Sequence, residues 1–221
     1  MVYILFFLAA AVFTLPVIWM NNCELIKACE SRAEKFSCLF TPRKNTIVAG
    51  VLGVMGGVLL AVVSYVSYDD TFLYTLKLLF VYIWLISVAY IDGKTQRIPN
   101  VWILYGLAAW VVFYLIEGLM GFGWLPLLGQ ALLGVLMGGG VFLISAVVSK
   151  GGMGMGDVKL YTVLGLMVGW QGVFNLILIA LVGSVVYGLI MIASKKMNRK
   201  SMIPMGPFTF IAMVIAILLG I

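Results

Sequence analysis

Histidine is absent from this sequence, and charge is scarce: Asp, Glu, Lys and Arg make up only 10% of its 221 residues. The missing histidine excludes Ser-His-Asp and Cys-His catalysis and the HExxH metalloprotease motif. The shortage of charge excludes an ordinary soluble domain, whose surface needs more polar groups than this. Cysteine is sparse too. Cys23, Cys29 and Cys38 are separated by five and eight residues. That spacing fits neither paired C-x-x-C nor the four ligands of a structural zinc site. No metal and no cofactor is expected.

What fills the chain instead is apolar: 64% of residues are hydrophobic, and the mean hydropathy is +1.17. This is the composition of an integral membrane protein. Apolar runs lie at about 2–20, 46–67, 73–91, 100–117, 126–148, 158–172, 174–193 and 203–219. Most approach the ~20 residues needed to cross a bilayer. Lipid offers no hydrogen bonds to the backbone, so the spans must be helices. The expected fold is therefore all-α, with about eight transmembrane helices. It forms one membrane-embedded domain over residues 1–221, with a short basic loop at 21–45. The first run lacks a charged n-region and an A-x-A-like cleavage site, so it is expected to be a retained span.

The pI near 9.3 does not point to nucleic acid, because the basic residues lie in short loops between apolar runs. Loop 21–45 holds Lys27, Arg32, Lys35, Arg43 and Lys44, and loop 92–99 holds Lys94 and Arg97. The glycine-rich loop and its edge hold Lys150 and Lys159, and loop 194–202 holds Lys195, Lys196, Arg199 and Lys200. These are every other loop, and only Lys77 falls elsewhere. The alternation fits eight spans with both termini outside and the basic loops in the cytoplasm. Residues 21–45 are suited to an interfacial helix whose Lys and Arg face lipid headgroups. Cysteines in such a loop would stay reduced.

The same topology sorts the carboxylates. Glu24, Glu30 and Glu34 sit among basic neighbours, and Asp69, Asp70 and Glu117 fall at outer loops. Asp92 and Asp157 remain, both at cytoplasmic ends of spans. Ionisable groups at membrane edges are costly to bury and often functional. The alternative is that each only caps a helix. Asp157 to Trp170 would rise only about 21 Å, against a bilayer core of ~30 Å. Either the bilayer thins there or Asp157 is recessed, in a site reached from the cytoplasm.

Two aspartates that meet across a water can hydrolyse a peptide bond. The ionised one takes the water's proton, and the protonated one donates to the carbonyl oxygen and then to the leaving amine. Two like charges in contact do not both ionise easily, so the proton belongs to the pair. A helix N-terminus and Lys159 would favour an ionised Asp157 and a protonated Asp92; equal sharing is the other possibility.

Gly154-Met155-Gly156-Asp157 is a GxGD motif, and the wider GMGMGDVKL resembles the signature of the type 4 prepilin peptidases. Asp92, followed by Ile98-Pro99-Asn100, matches that family's first aspartate and its I-P-N context. Ile203-Pro204-Met205-Gly206-Pro207-Phe208 is similar to the family's C-terminal segment. The resemblance covers roughly residues 73–219. It implies an intramembrane aspartyl endopeptidase in the bacterial inner membrane, with Asp92 and Asp157 catalytic and the active site toward the cytoplasm. Its substrates would be type IV pilin-like or pseudopilin precursors, cut after a glycine between basic leader and apolar helix. Gly154 and Gly156 would deliver Asp157 toward Asp92, with Lys159 supporting the loop. Many family members carry two C-x-x-C pairs in a long first cytoplasmic loop, together with an N-methylation activity. Loop 21–45 has neither the length nor the pairs, so zinc and methylation are not expected here.

Two other classes stay open: a proton-coupled transporter, and a catalytically silent pilus or secretion assembly factor. No inverted repeat supports the transporter, and both aspartates lie at one membrane face, away from the midplane. Gly53/Gly57, Gly134/Gly138 and Gly165/Gly169 make G-x-x-x-G faces for helix packing. Trp84, Trp102, Trp110, Trp124 and Trp170 are expected to anchor spans or fill packing gaps.

Overall fold

The computed structural model describes residues 8–10, 12–14, 53–58, 62, 72–148, 154–195 and 204–220. Among these residues all regular structure is helical, as the hydropathy pattern predicts. Four helical segments are long and apolar enough to cross a membrane: Phe72–Thr95, Asn100–Leu119, Trp124–Val148 and Met155–Ala193. A shorter apolar helix, Gly206–Leu219, follows. Most of the first two expected spans lies outside the described residues, as do the 21–45 loop with its cysteines, Asp69, Asp70, residues 149–153, and Lys196, Arg199 and Lys200.

The helices are named α1 (Phe72–Thr95), α2 (Asn100–Leu119), α3 (Trp124–Val135), α4 (Val141–Val148), α5 (Met155–Ala193) and α6 (Gly206–Leu219). A π-helical turn, Leu136–Gly140, joins α3 to α4. The chain divides into two compact units, Met1–Ser87 and Val88–Ile221. In the first, Gly57 lies so close to α1 that a Cβ would stand 2.8 Å from Leu79 Cδ1. Trp84 is fully buried there, which makes it a packing residue. Phe13 meets Phe80 edge to face at 5.2 Å.

In the second unit α5 is the central element and packs on α3, the π turn and α6. Lipid gives no hydrophobic push between helices, so close backbone approach has to supply the packing. Gly134 and Gly165 supply it. A Cβ on either would stand 2.1 Å from the other's carbonyl oxygen. The glycines of the π turn extend this face: a Cβ on Gly138 would meet the Tyr161 carbonyl, and one on Gly139 would meet Thr162 Oγ1.

Gly169 breaks α5, with φ 72° and ψ −177°. That is a conformation essentially only glycine adopts. Tyr161 O and Val173 Cγ2 both lie within 3.0 Å of the position a Gly138 Cβ would take. In a straight helix, residues twelve apart are separated by about 18 Å. The chain therefore folds back at Gly169. The stretch before the bend corresponds to the short sixth run of the hydropathy pattern, and the stretch after it to the seventh.

Candidate active site

Asp92 stands in the last turn of α1, where Gln96 ends the helix. Gln96 takes a left-handed conformation (φ 52°) and returns its N–H to the Asp92 carbonyl at 2.8 Å. A helix C-terminus is a poor place for an anion, because the macrodipole is negative there. The fold compensates with the opposite end of another helix. The Gly206 N–H, first in α6, donates to Asp92 Oδ2 at 2.8 Å. Helix N-termini leave such N–H groups unsatisfied, and Pro207 in the next position has none to offer. Asp92 is only 4% exposed. The space is tight: a Cβ on Gly206 would stand 2.9 Å from Asp92 Oδ2 and 3.3 Å from the Ala89 Cα.

Asp157 is the third residue of α5, after Gly154 at the N-cap. Its N–H bonds to the Gly154 carbonyl at 3.1 Å. Its carboxylate turns back over that glycine, where a Cβ would stand 3.3 Å from Oδ2. The positive end of α5 thus faces a carboxyl group in its first turn. Gly156 packs on the loop that follows Asp92, and a Cβ there would approach Ile98 Cβ to 3.3 Å. Gly154 has an ordinary φ of −71°, and Gly156 is not among the positive-φ glycines. Their use is the missing side chain: at Gly156 it lets the Asp157 turn lie against the Ile98 loop, and at Gly154 it leaves room for the Asp157 carboxylate. Lys159 directs its ammonium to Asn100 Oδ1 at 2.9 Å, tying the start of α5 to the start of α2.

The structure thus brings Asp92 and Asp157 within electrostatic reach of one another. The contact that joins the two motifs is that of Gly156, in the first turn of α5, with Ile98 in the loop after α1.

Comparison with known proteins bears on this geometry. The profile of the type IV leader peptidase family matches residues 79–189, which include both aspartates. The chain belongs to this family. A prepilin leader peptidase/N-methyltransferase of Pseudomonas aeruginosa is 34% identical over 166 residues, covering 71% of this chain and 54% of the relative. Proteins of the same name from Aeromonas salmonicida and Stutzerimonas stutzeri are 30% and 32% identical over 141 residues, covering 62% of this chain. Those alignments cover 46% and 47% of the relatives. The chain spans about half the length of the curated relatives it matches. No solved structure matches it significantly. With four apolar helices of spanning length, this family member is a multi-pass membrane protein.

Two residues of this region, and the role of Gly206 within the Ile203–Phe208 motif, escape a reading of the sequence alone. Gly206 acts through its backbone, which no side-chain pattern reports. Tyr161 and Thr209 are polar tips inside apolar runs, and their partner is each other: Tyr161 Oη and Thr209 Oγ1 are 2.8 Å apart. The available signal was the spacing of Tyr161 four residues after Asp157, which puts both on one helix face.

Proposed function

We propose that this chain is an intramembrane aspartyl endopeptidase that removes the basic leader of type IV pilin-like precursors. The observation that carries the reading is the approach of two aspartates from separate helices, one of them buried and held by a helix N-terminus. Asp92 and Asp157 are the catalytic pair and share one proton. Because Asp92 Oδ2 accepts the Gly206 N–H, a proton held by Asp92 resides on Oδ1.

A water between the carboxyl groups adds its oxygen to the scissile carbonyl carbon. Its proton passes to the ionised aspartate while the protonated partner gives its own to the carbonyl oxygen. The resulting gem-diol collapses as the C–N bond breaks. The first aspartate then protonates the leaving amine, and a gem-diol hydroxyl returns a proton to the second. Gly154 and Gly156 give the Asp157 turn its close seat, and Lys159 steadies it through Asn100.

The site faces the cytoplasm in an eight-span topology with both termini outside; the alternation of basic loops supports this orientation. A substrate whose apolar helix lies in the bilayer would then present its leader at the site. Family membership favours this reading over a proton-coupled transporter or a silent assembly factor. The test is to incubate the purified chain in liposomes with a pilin-like precursor and to sequence the product's new N-terminus. Cleavage after the leader glycine supports the proposal. An intact precursor, across a panel of pilin and pseudopilin substrates, contradicts it.

A further inference from the structure

One peptide unit, Met205–Gly206, is held at both of its polar atoms. Its N–H donates to Asp92 Oδ2 at 2.8 Å. Its carbonyl accepts the Thr209 N–H and the Thr209 hydroxyl, each at 3.0 Å. Thr209 has a single hydroxyl proton, and it lies on Met205 O. The 2.8 Å contact with Tyr161 therefore has the phenol as donor and Thr209 Oγ1 as acceptor. The result is a directed chain from Tyr161 through Thr209 and the Met205–Gly206 peptide to Asp92.

Every link is sealed from solvent: Tyr161 and Thr209 are both 0% exposed. Hydrogen bonds in such a chain polarise one another, and bonds accepted at a peptide carbonyl strengthen donation by the same peptide's N–H. Tyr161 belongs to the helix of Asp157, one turn further on, and its ring is clamped by stacking on Phe142 at 4.0 Å. The chain thus begins on the Asp157 helix and ends on the Asp92 carboxylate.

We infer that Tyr161 and Thr209 are positioning residues of the aspartyl centre, aiming the Gly206 N–H at Asp92 and fixing its carboxylate relative to the Asp157 helix. Neither touches the reacting atoms. The inference rests on the proposed peptidase reading for its kinetic consequences but not for its geometry.

Two variants remove one hydroxyl each with little change in shape: Tyr161→Phe keeps the stacked ring, and Thr209→Val keeps the branched volume. Each is expected to lower kcat for precursor cleavage about tenfold, the worth of one well-placed hydrogen bond, with KM unchanged. Thr209→Ser recovers the loss. The double variant is no slower than Thr209→Val alone, because the two hydroxyls act in series. Unchanged kcat in both single variants, a loss that falls on KM, or losses that multiply in the double variant would overturn the inference. A second readout is independent of cleavage: the NMR amide proton shift of Gly206 in the full chain carrying isotope-labelled glycine. Asp92→Asn, Thr209→Val and Tyr161→Phe should all move it upfield, and Thr209→Ser should leave it in place. If wild type cleaves nothing, the peptidase reading fails and this shift still decides the positioning claim. A Gly206 resonance unmoved by both hydroxyl deletions refutes it.

Discussion

The Asp92 carboxylate accepts the Gly206 backbone N–H at 2.8 Å, across 114 residues of sequence. A carboxylate at one helix's C-terminus is thereby met by the N-terminus of another, and a glycine is required because the helices meet without room for a Cβ. Gly206→Ala should displace the Asp92 side chain and misplace the aspartyl pair. A misplacement near 1 Å costs about 100-fold in rate, whereas overpacking of this kind costs about 1–3 kcal/mol of stability. The cleavage assay should therefore show a collapse in kcat while the purified variant still unfolds cooperatively.

Gly156→Ala should act on the other aspartate. Its methyl would stand 3.3 Å from Ile98 Cβ, a tight contact that the stiff β-branched side chain can relieve only by a shift of a few tenths of an ångström. The Asp157 turn shifts slightly against the Ile98 loop. Cleavage should fall about tenfold or more. Full activity in this variant would show that the close seat of the turn has no catalytic role.

Lys159→Met should have a small effect. The Lys159–Asn100 bond is exposed, and exposed polar pairs contribute at most about 1 kcal/mol. A loss of no more than about fivefold is expected, matched by Asn100→Ala and not deepened in the double variant. A loss comparable to that of an aspartate variant would mean that the ammonium takes part directly in the reaction.

Gly165→Ala and Gly169→Ala separate two uses of glycine in α5. The first places a methyl 2.1 Å from a Gly134 carbonyl oxygen and should force α3 and α5 apart. The second imposes φ 72° and ψ −177° on a residue with a Cβ, at a cost of about 1–3 kcal/mol, although that Cβ would meet Gln130 only at an ordinary contact distance of 3.8 Å. Thermal unfolding in detergent should show both destabilised. Replacing Gln130, the nearest neighbour of Gly169, should not rescue Gly169→Ala, because the cost lies in the backbone.

The legibility of this molecule follows from where its information is stored. The helices were readable because lipid forces internal backbone pairing, and the run at 126–148 appears as the α3–π–α4 segment. The Gly134 and Gly165 faces were readable from spacing alone, and they do meet. The fold-back is legible as the boundary between the runs at 158–172 and 174–193, but its residue is not: Gly169, expected on a packing face with Gly165, makes the bend through its backbone angles. Asp92 and Asp157 stood out as carboxylates in apolar surroundings. Their frame did not: Gly206 contributes a peptide N–H, and Tyr161 and Thr209 are 48 residues apart, so no local pattern joins them.

The most direct test of the central claim is cleavage of a pilin-like precursor by wild type, Asp92→Asn and Asp157→Asn at matched protein levels in liposomes. Asparagine preserves shape and removes the proton chemistry. Wild type should cleave after the leader glycine, and neither variant should cleave above background. Cleavage that survives in either variant would remove that aspartate from the mechanism and contradict the shared-proton pair.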